Sequence, residues 1–273
     1  MGIRKNVAAL TAAERTAFVA AVKKLKAKTT GRNYDWFVNT HMTYFGTVNG
    51  HNYAHWSSSF LPWHRKFLLE FEKGLQAFDS TVTLPYWNWV NEQSLTGPPF
   101  TDDFMGGNGR DGSGPVTTGP FAGEANWRIN VSPSTAKSLY RAIGRSGSLP
   151  TAADVQTILD VGTYDVAPWT SASNDGMRNR LEGGLSPSPH GRVHVWVGGH
   201  MAQTDSPNDP LFFLHHCNID RIWSRWQNRW GYGAARYQPG GGTANVVDVD
   251  EALAPFTATV ADVVDHRGSY TYT

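Results

Sequence analysis

The 273-residue sequence holds one cysteine, Cys217, which excludes an internal disulfide and every multi-cysteine zinc or iron–sulfur site. A lone thiol suits a cytosolic protein and equally a secreted one that needs no staples. Charge of one sign is also missing: 24 basic and 23 acidic residues are scattered without blocks and leave a net charge of +1. That balance gives no electrostatic footprint for nucleic acid or for an anionic membrane. No apolar run approaches the ~18 residues of a membrane span. In "MGIRKNVAALTAAERTAF" charge interrupts the chain before an apolar stretch reaches signal-peptide length. The chain is therefore expected to carry no export or membrane signal of its own. What is present, 40% hydrophobic and 12% aromatic residues, suffices for a sizeable core. No repeat, linker or charge block divides the chain, so one mostly helical domain over residues 1–273 is expected.

Helical periodicity is clearest where histidines interrupt it. "LTAAERTAFVAAVKKLKAKT" opens with a capping box, Thr11 and Glu14, and continues with Phe18, Val22 and Leu25 on one face. In "NYDWFVNTHMTYF" the apolar stripe Phe37, Tyr44 contains His41, and in "LPWHRKFLLEFEKGLQAF" the stripe Leu68, Phe71, Leu75, Phe78 contains His64. Residues 91–150, rich in Gly, Pro, Ser, Thr and Asn, read as long ordered loops with one or two short strands. "TAADVQTIL" is helical, and "PHGRVHVWVGGH" is a short helix or turn ending at a glycine pair. Asn208, Asp209 and Pro210 are placed to start a helix whose buried face carries Phe212, His216, Ile219, Trp223, Trp226 and Trp230. From residue 238 onward a loop, short strands and a tail are expected.

A polar ring is costly to bury unless its nitrogens have partners, and three helices share this anomaly. A single such histidine is ordinarily a satisfied core residue; the repetition, with His190 and His194 at i, i+4, points to metal. Di-zinc and di-iron sites lean on bridging carboxylates, yet neither HExxH nor a Glu-x-x-His pair occurs. Imidazole-only ligation suits copper. Blue-copper sites need a cysteine beside the histidines, and although Cys217 adjoins His216, the His-x-His pairs of multicopper oxidases are absent. The pattern argues for two coppers, each held by three neutral histidines.

"HWSSSFLPWHRKFLLEFE", "PYWNW", "PHGRVHVWVGGHM" and "SPNDPLFFLHHCNIDRIW" resemble the signature stretches of the type-3 copper proteins, most closely the compact bacterial tyrosinases of actinomycete type. The similarity runs from "RKNVAAL" to "VVDH", almost the whole chain. It implies a mainly α fold, a four-helix bundle around a dinuclear copper site with long loops and few short strands. It further implies that His41, His55 and His64 bind one copper and His190, His194 and His216 the other. The implied activity is oxidation of phenols by O2 to o-quinones, with the substrate ring stacked on His194. His215, about 100° round the helix from His216, is expected to play a structural part. Asp220 is placed either to orient the other nitrogen of His216 or to pair at the surface with Arg221 or Arg225. His51, His200 and His266 have no place in the motif and are expected at the surface.

The sequence also departs from the family pattern. Glu182 in "RNRLEGG" matches a glutamate that holds a water in the family, but Gly191 stands where many tyrosinases have an asparagine sharing that water. Either glycine merely fits the turn, or removal of the monophenol proton is weakened and the chain favours o-diphenols and o-aminophenols. Full tyrosinase activity is the alternative; hemocyanin-like O2 carriage needs extra domains for which the chain has no room. Tyr53 occupies the place of a cysteine that fungal relatives tie to a ligand histidine, so no thioether is expected. The resemblance implies a small caddie protein that delivers copper, with the chain either cytoplasmic or exported together with that signal-bearing partner.

Overall fold

The computed structural model describes residues 2–237, 239 and 243–273, and four of its α-helices begin where a cap side chain accepts from a free N–H of the first turn. Helix α1 (Ala12–Ala27) has the capping box in both directions: Thr11 accepts from the Glu14 N–H at 3.2 Å, and Glu14 accepts from the Thr11 N–H at 2.9 Å. Asn33 caps α2 (Tyr34–Tyr44) by accepting from the Trp36 N–H. After α3 (Phe60–Gln76), α4 (Ala152–Asp160) starts on a second capping box, Thr151 with Asp154. Two further helices, α5 (Met177–Glu182) and α6 (Pro189–Val197), precede the 20-residue α7 (Leu211–Trp230), and α8 (Val260–Val263) is one turn capped by Thr259. Strand β1 (Gly2–Arg4) pairs in parallel with β4 (Tyr270–Tyr272), while β2 (Thr47–Val48) and β3 (His51–Asn52) form a small hairpin.

Helices α2, α3, α6 and α7 form the bundle, and α3 meets α7 through stacked rings. Phe71 and Phe213 lie 3.5 Å apart at 5°, and nearer the histidine groups His64 and His216 lie 4.3 Å apart at 22°. Phe37 of α2 packs edge-on against Phe67 and Phe71 at 5.5 and 5.2 Å. Such offset and edge-on pairs add to area burial, so the ring ladder fixes the spacing of the histidine-bearing helices.

The loop region 91–150 carries no strand among the described residues; it has two single-turn 3-10 helices, Arg110–Gly112 and Gly123–Ala125, and isolated bridges such as Pro115 with Tyr140. Its organiser is a buried cation. Arg141 pairs with both oxygens of Asp209 at 2.6 and 2.7 Å and donates to the carbonyls of Met105, Gly106 and Gly107. A guanidinium does here what a sheet ladder does elsewhere, satisfying carbonyls that the loop cannot pair itself. Pro210 stands at the cap of α7, and Asp209 accepts from the Leu211 N–H; Asn208 is instead bound to the Val131 carbonyl and Asp205. The expected loop after residue 238 falls partly on residues 238 and 240–242, outside the described residues.

Three surface expectations are corrected. Asp220 is buried and makes no surface pair: it accepts from Arg65 at 2.6 Å, from Tyr270 and Tyr272 at 2.5 Å each, and from Arg4 at 3.5 Å. It therefore ties α3, α7, β1 and β4 together, and it does not orient His216. His266 is 5% exposed and hydrogen bonds with Ser224 at 2.7 Å and with the Tyr270 carbonyl at 3.1 Å. His200 is also 5% exposed and accepts from the Tyr140 N–H at 3.0 Å. Each polar ring is affordable inside because the fold supplies distant partners. His51 alone is half-exposed, 3.2 Å from Glu251.

Burial alone would raise the Asp220 pKa, but Arg65 and then Arg4 outweigh it and hold the carboxyl down at about 2. The folded value lies below the ordinary 3.8, so this stabilisation is present above about pH 4 and is lost as pH falls through about 2. Asp220→Ala leaves Arg4 and Arg65 buried without their shared partner and should cost about 3–5 kcal/mol in urea unfolding. A loss below about 1 kcal/mol would contradict the role given to this knot.

Candidate metal centre

Two histidine groups face one another across the bundle. In the first, His41 comes from α2, His64 from α3, and His55 from the segment between β3 and α3; ring centres are 5.0 Å apart for His41 and His55 and 5.1 Å for His55 and His64. In the second, His190 and His194 lie one turn apart on α6 with rings 4.7 Å apart, and His216 of α7 is 5.0 Å from His190. Within each group one nitrogen per ring lies within 4.8 Å of the others, a spacing that could hold a metal ion. All six residues named by the sequence are thus brought together, and the structure adds a seventh. His215 joins the second group, its ring parallel to His190 at 5.7 Å and 12°.

Backbone carbonyls set the orientation of four rings. The Nδ1–H groups of His41, His64, His190 and His194 donate to the carbonyls of Thr204, Phe60, Glu182 and Met201 at 2.8, 2.9, 2.9 and 2.6 Å. Each bond fixes the tautomer and leaves an unprotonated Nε2 pointing inward. Those of His41, His64 and His190 are buried without a hydrogen-bond partner, and that of His194 lies 3.2 Å from Nε2 of His216. In His55 and His216 it is Nδ1 that lacks a partner, and in His215 both nitrogens do. Buried lone pairs without donors are what metal coordination satisfies, and neutral imidazole is the ligand copper favours. Burial keeps the rings neutral: it lowers the His41 pKa to about 3, against the Thr204 carbonyl bond, and that of His194 to about 4. The residues fit two copper ions.

A cavity of about 350 Å³ opens onto His41, His55, His190 and His194. Trp56 and Val195, 41% and 49% exposed, stand at its side as apolar walls. Glu182 also lines it, fully enclosed: Oε1 accepts from the Trp56 N–H at 2.5 Å and Oε2 from Arg178 at 2.9 Å. Burial raises the Glu182 pKa to about 7, against the opposing pull of Arg178. Gly191 lies beside it with ordinary helical backbone inside α6. A Cβ added there would meet Ser188 Oγ at 3.4 Å and the Glu182 carbonyl at 3.9 Å, normal van der Waals distances. The turn does not require glycine at this position.

Sequence reasoning missed Trp56 and Arg178. Trp56 adjoins His55 in the quoted "HWSSSF" and could have been marked as a wall. Arg178 lies i, i+4 from Glu182, a spacing that signals an ion pair.

Comparison with known proteins agrees with this geometry. Residues 31–229 match the common central domain of tyrosinase. The chain is 50% identical over 277 residues to a tyrosinase of Streptomyces antibioticus, covering 100% of this chain and 99% of the relative. It is 39% identical over 305 residues to the grixazone synthase of Streptomyces griseus, covering 99% and 98%. Among solved structures, a polyphenol oxidase of Thermothelomyces thermophila superposes with a TM-score of 0.74 at 23% identity, covering 100% of this chain and 89% of that one, which shows a shared fold. With whole-length similarity and two histidine groups fit for copper, the chain belongs to the tyrosinase family of compact bacterial type-3 copper proteins, copper oxidoreductases that act on phenols.

Proposed function

We propose that His41, His55 and His64 hold one copper and His190, His194 and His216 the other, with His215 stacked behind His190, and that this dicopper phenol oxidase strongly prefers o-diphenols and o-aminophenols to monophenols. Bound there, the copper pair supplies the redox chemistry by which O2 withdraws electrons from the substrate, giving an o-quinone or quinone imine. The chain's own residues position the ring and handle the proton. The substrate ring enters the 350 Å³ cavity over His194, between Trp56 and Val195. Glu182, whose carboxyl titrates at about 7, is matched to accept a proton near neutral pH. Arg178 and the Trp56 N–H hold it in place.

The observation that carries the preference is the empty space at Gly191, where a side chain fits and none is present. A monophenol, with a pKa near 10, must lose its proton with help from Glu182 alone. Catechols and o-aminophenols need less assistance. Initial rates of the copper-loaded enzyme should therefore be far higher on a catechol or an o-aminophenol than on tyrosine. Gly191→Asn should raise monophenol turnover about 10-fold, a gain of about 1.4 kcal/mol and the size of one added hydrogen bond. Glu182→Gln should depress monophenol turnover more than catechol turnover. Equal wild-type rates on tyrosine and catechol would refute the preference, while the copper assignment would stand.

The exposed apolar pair Trp56 and Val195 beside the cavity supports a second part of the proposal, a small caddie protein that docks there, delivers copper and carries the chain through export; without it the chain stays cytoplasmic. Copper content after expression alone and together with a candidate partner measures this. The account expects a several-fold higher content with the partner, lost in Trp56→Ser; full loading of the chain expressed alone would contradict it.

A further inference from the structure

The segment from Gly199 to Asp205 borders two cavities. Met201, Ala202 and Thr204 line the one that opens onto the histidine groups, whereas Gly199, His200 and Asp205 line a separate one of about 270 Å³, and Gln203 borders both. No lysine or arginine lines the second cavity, yet a buried carboxylate does. Asp205 is 1% exposed and has no ion pair with any described residue. Among the described residues every other buried carboxylate has an arginine: Glu72 has Arg4, Asp165 and Glu182 share Arg178, Asp209 has Arg141 and Asp220 has Arg65. Burying a carboxylate without a counter-charge is costly, so Asp205 calls for a positive group that the chain itself does not supply.

The hydrogen bonds around Asp205 define what that group carries. Oδ2 accepts from Nδ2 of Asn208 at 3.1 Å, but Oδ1 is buried without a donor. Asn208 cannot supply one: its other amide hydrogen goes to the Val131 carbonyl at 2.7 Å, and its own Oδ1 also lacks a donor. His200 offers the complement. Its Nδ1 accepts from the Tyr140 N–H at 3.0 Å, which places the ring hydrogen on Nε2, where no described residue accepts it. The cavity thus joins a buried anionic acceptor to a free N–H donor. A bare metal ion does not match this pair, because the imidazole offers a hydrogen and not a lone pair.

We infer that this cavity binds a small primary amine as its ammonium ion, which donates to Oδ1 of Asp205 while an oxygen of the same molecule accepts from Nε2 of His200. An ammonium carries both the charge and the donors that Asp205 lacks, and charge-assisted hydrogen bonds of this kind are the strong ones. Pro133, Ala136 and the Tyr140 ring, 6.0 Å from that of His200, form apolar walls for the carbon skeleton. The site is separate from the substrate cavity but tied to it: Asp205 follows Thr204 and His200 precedes Met201, and the carbonyls of Thr204 and Met201 take the Nδ1–H groups of His41 and His194. A molecule held between Asp205 and His200 therefore spans the segment that aims those two rings.

Calorimetric titration of the copper-loaded protein with ethanolamine, ethylamine, tetramethylammonium chloride and potassium chloride tests the site. Saturable binding of ethanolamine is expected, several-fold tighter than that of ethylamine, which lacks the oxygen for His200. Tetramethylammonium and potassium, which bring charge without N–H donors, should not bind measurably. Asp205→Asn should weaken ethanolamine binding about 10-fold or more, and His200→Phe should reduce it to the level of ethylamine. Copper content and Tm equal to those of the wild type show that a variant is folded. Asp205→Asn removes the charge at constant size and keeps the histidine groups, so ethanolamine binding that persists undiminished in it belongs to copper and would overturn the inference. Absence of saturable ethanolamine binding up to about 20 mM, or equally tight binding of tetramethylammonium or potassium, would overturn it too.

Discussion

Six imidazoles can meet in a dry core only if each ring gives its N–H to a fixed acceptor or turns a bare nitrogen toward a metal. This constraint governs the bundle. His64 finds its acceptor on its own helix, the Phe60 carbonyl one turn back, but His41 and His194 depend on the carbonyls of Thr204 and Met201. The short segment from Gly199 to Thr204 thus aims one ring from each histidine group, although it contributes no histidine to either. His190 leans on the carbonyl of Glu182, so the residue proposed above as the base also orients a ring of the second histidine group.

Around the histidines the fold is clamped by buried ion pairs, each placed where an element could otherwise slide. Arg65 with Asp220 fixes α3 against α7 one turn beyond the stacked His64 and His216. Arg141 with Asp209 fixes the long loops to the start of α7. Arg178 bridges Asp165 and Glu182, holding the carboxylate that faces the cavity. Removing one partner from such a pair is far costlier than the pair is stabilising, so these contacts specify geometry more than they add stability.

The histidine-bearing helices were legible because a histidine in an apolar stripe breaks a period that the eye and the hydrophobic effect both follow. His41, His64 and His216 stood out in this way, and His190 with His194 through their spacing. His55 lies outside any helix and came only through the family resemblance. The acceptors Thr204 and Met201 were not legible, since a backbone carbonyl has no sequence signature. Nor was the buried role of Asp220, whose partners Arg65 and Arg4 lie 155 and 216 residues away in the chain. His200 and His266 were misplaced at the surface for the same reason: their burial rests on contacts 60 and 42 residues distant. The loop region 91–150 was recognised by composition, but its organiser, Arg141, was not, because one arginine among loop residues looks like any solvated charge.

The central claim is that this chain holds two coppers in two separate sets of three imidazoles. Metal analysis of the copper-loaded protein, with single histidine replacements in each set, tests it most directly. The account predicts about two coppers per chain, falling to about one in His41→Ala and in His194→Ala, each variant losing the ion of its own group. A wild-type content of one copper per chain, or two coppers retained in both variants, would contradict it.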